Sequence, residues 1–174
     1  MTQVLISIGS NKDNPQLQIE TAFSKIDQRF NNVSMSSLYL TEPVGGIPPD
    51  SFINAAIRLD TQLNAHELLQ FLMDLEHQAH RNRAQEISNG PRSLDLDIIL
   101  FGSDILSEAD LEIPHPRFRD RRFVLEPMQE IAPESIDPKS QKIISQLLEE
   151  CTDMNSVKEM EEELRRELVG ELYE

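Results

Sequence analysis

The stretch Gly90–Gly102, GPRSLDLDIILFG, constrains the chain more tightly than any other segment. Asp95 and Asp97 sit two positions apart inside an apolar run of Leu94, Leu96, Ile98, Ile99, Leu100 and Phe101. Side chains alternate between the faces of a β-strand, so an extended backbone puts both carboxylates on one face and Leu94, Leu96 and Ile98 on the other. The two aspartate Cα atoms then lie roughly 6.5 Å apart, a spacing suited to holding one or two divalent cations. Arg92 stands just before the strand, where its cation can meet a phosphate oxygen. A carboxylate pair beside an arginine is what magnesium-dependent chemistry on a polyphosphate requires.

The other elements follow from periodicity and turn chemistry. Residues 3–8 and 33–41 read as strands, as does Phe52–Leu59. Pro15 opens a helical pattern to about Phe30, and Ala65–His80 is a second helix, with Leu68, Leu69, Leu72 and Leu75 at three- and four-residue spacing. A third helix is expected over Asp120–Ile131 and a short one over Ser140–Glu150. The order is βαββαβ with hairpin-length links, which predicts an α+β, ferredoxin-like sandwich with a mainly antiparallel sheet. From Met154 to Glu174, Val157, Met160, Leu164, Leu168 and Leu172 recur at helical spacing among seven acids and three bases. That pattern predicts a C-terminal amphipathic helix, and so a domain over 1–150 followed by an acidic helical extension over 151–174.

Composition narrows the class. A net charge of −15 argues against nonspecific binding to nucleic acid or anionic membrane. Seven of the sixteen basic residues nevertheless fall between positions 81 and 122, and all seven are arginine, the side chain that holds phosphate bidentately. No run approaches the roughly 20 apolar residues of a membrane span, and the N-terminus lacks a basic leader. The single cysteine, Cys151, excludes an intrachain disulfide and points to the cytoplasm.

Six segments occur in an order that carries a family pattern: Gly9–Asn11 (GSN), Glu42–Gly45 (EPVG), Phe52–Asn54 (FIN), Gly90–Asp97 (GPRSLDLD), Pro114–Arg117 (PHPR) and Arg121–Pro133 (RRFVLEPMQEIAP). Over residues 1–150 the chain resembles the 6-hydroxymethyl-7,8-dihydropterin pyrophosphokinases, enzymes of folate biosynthesis that move a diphosphate from ATP to a pterin alcohol and release AMP. The resemblance implies that Asp95 and Asp97 hold two Mg²⁺ ions and that Arg81, Arg83 and Arg92 act on the triphosphate. It implies ATP contacts from Glu76, Arg92, Ile98, His115 and Arg121. Thr41, Pro43, Val44, Phe52, Asn54 and Phe123 would bind the pterin, the two phenylalanines by stacking on its faces. The Asn54 amide offers a donor and an acceptor side by side, a complement to the ring's amide edge.

The chain departs from the family pattern at His80, where glycine is common before the first loop arginine, and at Asn89, where a tryptophan often stands. Met73 replaces a polar residue near the adenine position, and the loop from Arg81 to Gly90 is about one residue longer than usual. The implied partners are ATP and a pterin alcohol, in a monomer or a homodimer joined through the C-terminal helix. Two other readings compete with this one. A polymerase-β-type nucleotidyltransferase also uses an Asp-x-Asp strand but needs a Gly-Ser at a helix start upstream. A non-catalytic pterin- or nucleotide-binding module would share the recognition residues without turnover.

Overall fold

The structure, a computed structural model, describes residues 1–12, 14–41, 52–80 and 94–160. Its centre is β1 (Thr2–Ser10), flanked by β4 (Phe52–Thr61) on one side and β5 (Asp95–Phe101) on the other. β2 (Asn31–Met35) and β3 (Tyr39–Thr41) both pair with β4, and β8 (Val157–Glu159) closes the far end beside β3. Every pairing in this sheet is antiparallel. The small hairpin of β6 (Leu106–Ser107) and β7 (Glu112–Ile113) stands apart.

α1 (Pro15–Arg29) and α2 (Ala65–His80) cover one face of the sheet. α1 begins where Asn14, in the left-handed region at φ 58°, accepts the Leu17 N–H, with Pro15 supplying a preset φ at the first helical position. α2 begins with a reciprocal cap: Glu67 N–H donates to the Asn64 side chain at 2.9 Å, and Asn64 N–H donates to the Glu67 carboxylate at 2.8 Å. Ile19, Ala22 and Ile26 of α1 and Leu68, Leu72 and Leu75 of α2 pack on Val4, Ile6, Ile8, Leu94, Leu96 and Ile98. The alternation of Leu94, Leu96 and Ile98 onto one face is thus realised.

α3 (Arg122–Ile131) and α4 (Ile144–Glu150) cover part of the other face, burying Val124, Leu125, Met128, Ile144 and Leu147 against Leu5, Ala56, Ile99 and Leu100. Two consecutive residues, Ile99 and Leu100, reach this layer because the β1–β5 register shifts between Leu5 and Ile6.

Four expectations change. The strand expected over 33–41 is two strands, because the ladder is interrupted at Ser36: its N–H still donates to the Ala56 carbonyl, but the Ala56 N–H is taken by the Ser36 hydroxyl, which itself donates to the Ser37 carbonyl. α3 starts at Arg122, with Phe118–Asp120 forming a 3₁₀ turn ahead of it. α4 starts at Ile144, because buried Asp137 holds the preceding turn by accepting from Ser140 Oγ and Lys139 N–H. Finally, the helix expected from Met154 is a strand over Val157–Glu159, since the open edge of β3 offers main-chain partners that an isolated helix lacks. The rest of that expected helix, 161–174, lies outside the described residues.

Candidate functional site

Beyond the ends of α3 and α4 no helix among the described residues covers the second face of the sheet, and there it forms a cavity of about 300 Å³. Its floor is three adjacent strands, and the pleat decides which side chains reach it. β1 contributes Ser7 and Gly9, β4 contributes Phe52 and Asn54, and β5 contributes Asp95, Asp97 and Ile99. The register sets Gly9 opposite both Asn54 and Asp95, and Ser7 opposite Asp97. Thr41 of β3 adds to the floor, while His115, Arg121, Phe123, Val124 and Asn155 form the walls.

The cavity therefore has two ends. At the β5 end are two half-buried carboxylates, the His115 ring and the Arg121 guanidinium. At the β3 end are two aromatic rings, Phe52 and Phe123, with the Asn54 amide buried between strands. Asn54 Nδ2 donates to Thr41 Oγ1 at 3.0 Å, which fixes the amide's orientation. Gly9 is what admits it: a Cβ there would lie 2.7 Å from Asn54 Oδ1. Arg121 stacks its guanidinium 5.6 Å from the centre of the Phe123 ring, so the cationic and aromatic walls support each other.

His115 follows a cis Ile113–Pro114 bond, and its N–H donates to the Ile99 carbonyl. Its Nδ1 accepts the Arg117 N–H at 3.2 Å, which leaves the proton on Nε2. Burial, and then the neighbouring Arg121 cation, lower the pKa of the ring below its ordinary value, against the opposing pull of Asp95. His115 is thus a neutral donor at the mouth of an anion-attracting wall.

Of the residues expected at a site, Thr41, Phe52, Asn54, Asp95, Asp97, His115, Arg121 and Phe123 line this one cavity. Glu76 does not: it stands at the outer edge of β5, where its carboxylate accepts the Leu96 N–H at 2.8 Å. His80 Nε2 lies 3.2 Å from the Leu94 carbonyl, so the end of α2 is fastened to the carboxylate strand at two points. Ile98 turns its side chain into the α1/α2 core, and only its main chain is left to face a ligand. Because the Leu96 N–H points outward to Glu76, the Ile98 main-chain groups two residues on share that outer edge. Pro43, Val44, Arg81, Arg83 and Arg92 lie outside the described residues.

Ser7 and Asn155 line the cavity without having been expected at a site, and Gly9 enters the expectations only as part of the GSN segment. Ser7 follows the same two-residue alternation as the aspartates; Gly9 and Asn155 carry no such signal. A second carboxylate group, His66 with Glu108 and Asp110, gathers its ligand atoms within 4.8 Å, but it is exposed and none of the three lines the cavity. Among the described residues no helix is long and apolar enough to cross a membrane.

The family model for 7,8-dihydro-6-hydroxymethylpterin-pyrophosphokinase matches residues 5–133. A Haemophilus influenzae protein named 2-amino-4-hydroxy-6-hydroxymethyldihydropteridine pyrophosphokinase is 35% identical over 160 residues, covering 91% of this chain and 98% of the relative. A Synechocystis protein of the same name is 44% identical over 119 residues, covering 67% of this chain and 60% of that one. In fold, the chain is similar to wild-type Plasmodium falciparum HPPK-DHPS crystallised with pteroate, with a TM-score of 0.65 at 13% identity. That likeness covers 85% of this chain and 44% of the Plasmodium chain, so this chain spans less than half of that protein.

Proposed function

This chain belongs to the 7,8-dihydro-6-hydroxymethylpterin-pyrophosphokinase family, and from that premise we propose that it transfers diphosphate from ATP to 6-hydroxymethyl-7,8-dihydropterin in folate biosynthesis. The observation that carries this reading is one cavity with a carboxylate pair at one end and an aromatic pair with a buried amide at the other. The pterin hydroxymethyl oxygen bonds to the β-phosphorus of ATP and loses its proton to solvent, the bond from that phosphorus to the oxygen it shares with the α-phosphorus breaks, and AMP leaves.

Phe52 and Phe123 hold the flat ring by its two faces, and Asn54, oriented by Thr41, reads its edge. That positions the hydroxymethyl arm toward β5. Arg121 offsets charge on the polyphosphate, and the neutral His115 donates from Nε2 to the nucleotide. Arg81, Arg83 and Arg92 complete the clamp on the triphosphate, and Glu76 and the Ile98 main chain lie along the nucleotide side of β5. Asp95 and Asp97 present only hard oxygen donors from one face, which suits Mg²⁺. Two such ions held there would supply charge neutralisation along the triphosphate and alignment of the attacking and leaving oxygens. We take the working unit to be a cytoplasmic monomer or homodimer.

The test combines ATP, Mg²⁺ and hydroxymethyl-dihydropterin and follows AMP by chromatography. AMP should accumulate with the pterin diphosphate, and Asp97→Ala should lower turnover by about three orders of magnitude with an unchanged melting temperature. Release of pyrophosphate instead of AMP would favour the nucleotidyltransferase reading. No AMP above a blank from folded protein would reject the proposal.

A further inference from the structure

Asn155 reaches the cavity from the last part of the described chain, which sequence periodicity alone assigns to an appended helix. Two anchors put it there. On one side β8 pairs with β3 in the register Thr41↔Val157, and the Met160 N–H donates to the Leu38 carbonyl at 2.8 Å. This carries Asn155 past the Thr41 end of β3. On the other side Asp153 works as a two-armed clasp. Its Oδ2 accepts the Arg122 N–H at 3.0 Å, and its Oδ1 accepts the Asn155 N–H at 2.9 Å.

Arg122 opens α3 and directly precedes Phe123, so the carboxylate that caps this helix also sets Asn155 beside the stacking wall. The Arg122 side chain tightens the clasp, its Nε donating to the Asp153 carbonyl at 2.8 Å and its Nη2 to the Cys151 carbonyl at 3.2 Å. Arg122 is therefore occupied in holding the chain, unlike Arg121 beside it. The Asn155 side-chain amide makes no hydrogen bond with the described residues, while its main chain is fixed.

We propose that Asn155 is a specificity-determining residue for the pterin, pairing its amide with the ring edge, and that Asp153 is the positioning residue that holds it there. The inference rests on the pterin reading of the cavity. Its placement argues for the pterin and against the nucleotide: β8 and β3 lie at the opposite end of the sheet from β5, which carries the carboxylates. A side-chain amide presents a donor and an acceptor together, so it selects heterocycles whose edge alternates the two. It also follows that the catalytic unit extends to Met160 and does not end near residue 150.

The test measures the pterin Kd by equilibrium fluorescence without turnover, together with KM for each substrate. Asn155→Ala should weaken pterin binding about five- to tenfold, the value of one neutral hydrogen bond, with KM for ATP within about twofold and an unchanged melting temperature. Asp153→Ala should weaken pterin binding to a similar degree, and the double variant should be no weaker than Asn155→Ala alone. An unchanged pterin Kd in Asn155→Ala, or an equal loss for ATP, overturns the role of Asn155; additive losses in the double variant overturn that of Asp153. If the wild-type protein releases no AMP, the functional reading itself fails. If the wild type is active and Asn155→Ala matches it, only this inference does.

Discussion

Gly9→Ala tests how closely the substrate end of the cavity is built on the sheet beneath it. Gly9 pairs with Asn54 across β1 and β4, and an added Cβ would stand 2.7 Å from Asn54 Oδ1 and 3.5 Å from the Ile53 carbonyl. The second distance is ordinary contact; the first is not. The amide must rotate or retreat, and either motion breaks its 3.0 Å hydrogen bond to Thr41 Oγ1. Asn54 and Thr41 are only 4% and 8% exposed, so water does not readily replace that bond. Leaving buried polar groups unpaired costs about 1–3 kcal/mol. Alanine repays about 0.5–1 kcal/mol because glycine loses more backbone freedom in a strand.

The net loss is about 0–2.5 kcal/mol, centred on about 1 kcal/mol, where it lowers the melting temperature by roughly 2–4 °C for a chain of this size. The effect on recognition is larger, because the displaced amide no longer meets the ring edge. Pterin affinity should fall about 10- to 100-fold while ATP affinity holds within about twofold. Titration calorimetry with each ligand separates the two. The double variant Gly9→Ala/Asn54→Ala is the internal control, since with Oδ1 gone the new methyl group has room and the glycine substitution should cost little more. Wild-type pterin affinity and an unchanged or raised melting temperature in Gly9→Ala would refute the argument outright.

Two predictions concern the frame around the site. Asp137, fully buried, would be raised by burial alone, but hydrogen bonds from Arg119 (2.6 and 2.8 Å), Ser140 and the Lys139 N–H outweigh that and bring its pKa down to about 2. Its folded pKa lies below the unfolded value, so the ionised group contributes about 2 kcal/mol above pH 4, and that contribution is lost as pH falls toward 2. Urea unfolding of Asp137→Asn should therefore show a deficit at pH 7 that closes in acid; a deficit independent of pH would contradict this. Glu130 accepts from the Ser37 N–H, Ser37 Oγ and the Tyr39 hydroxyl, tying the β2–β3 link to α3. Tyr39 titrates above its ordinary range through burial first and the Glu130 carboxylate second. Glu130→Ala should lower the Tyr39 titration midpoint, read by absorbance, and cost about 1–3 kcal/mol of stability; an unmoved midpoint would show that burial alone sets it.

Most of this site is written in alternation. Asp95 and Asp97 on β5, and Phe52 and Asn54 on β4, follow from a period of two with no knowledge of pairing. What alternation cannot give is which strands are neighbours. Gly9 is a turn residue by local reading, and only its register against Asn54 and Asp95 turns it into the space that the amide fills. The break between β2 and β3 is hidden for a related reason. Ser36 and Ser37 are compatible with an extended strand, and the residues that pull them out of it, Ala56 and Glu130, are distant in sequence.

The C-terminal segment shows how a correct local period can yield to an available edge. Val157 and Met160, three residues apart, fit one face of a helix, yet as a strand Val157 pairs with Thr41 and Met160 is buried in the α1/α2 core. Helix formation satisfies only local hydrogen bonds; adding a strand satisfies those of β3 as well, and it draws Asp153 to the start of α3. The choice matters for chemistry because the same clasp delivers Asn155 to the cavity wall. A chain cut after residue 153 would keep both aspartates, both aromatic rings and the Asn54 amide, yet lose β8 and the Asn155 wall. Such a truncation should therefore bind ATP as the full chain does and bind the pterin less well. Retention of full pterin affinity by the folded truncation would return the segment to the role of an appendage.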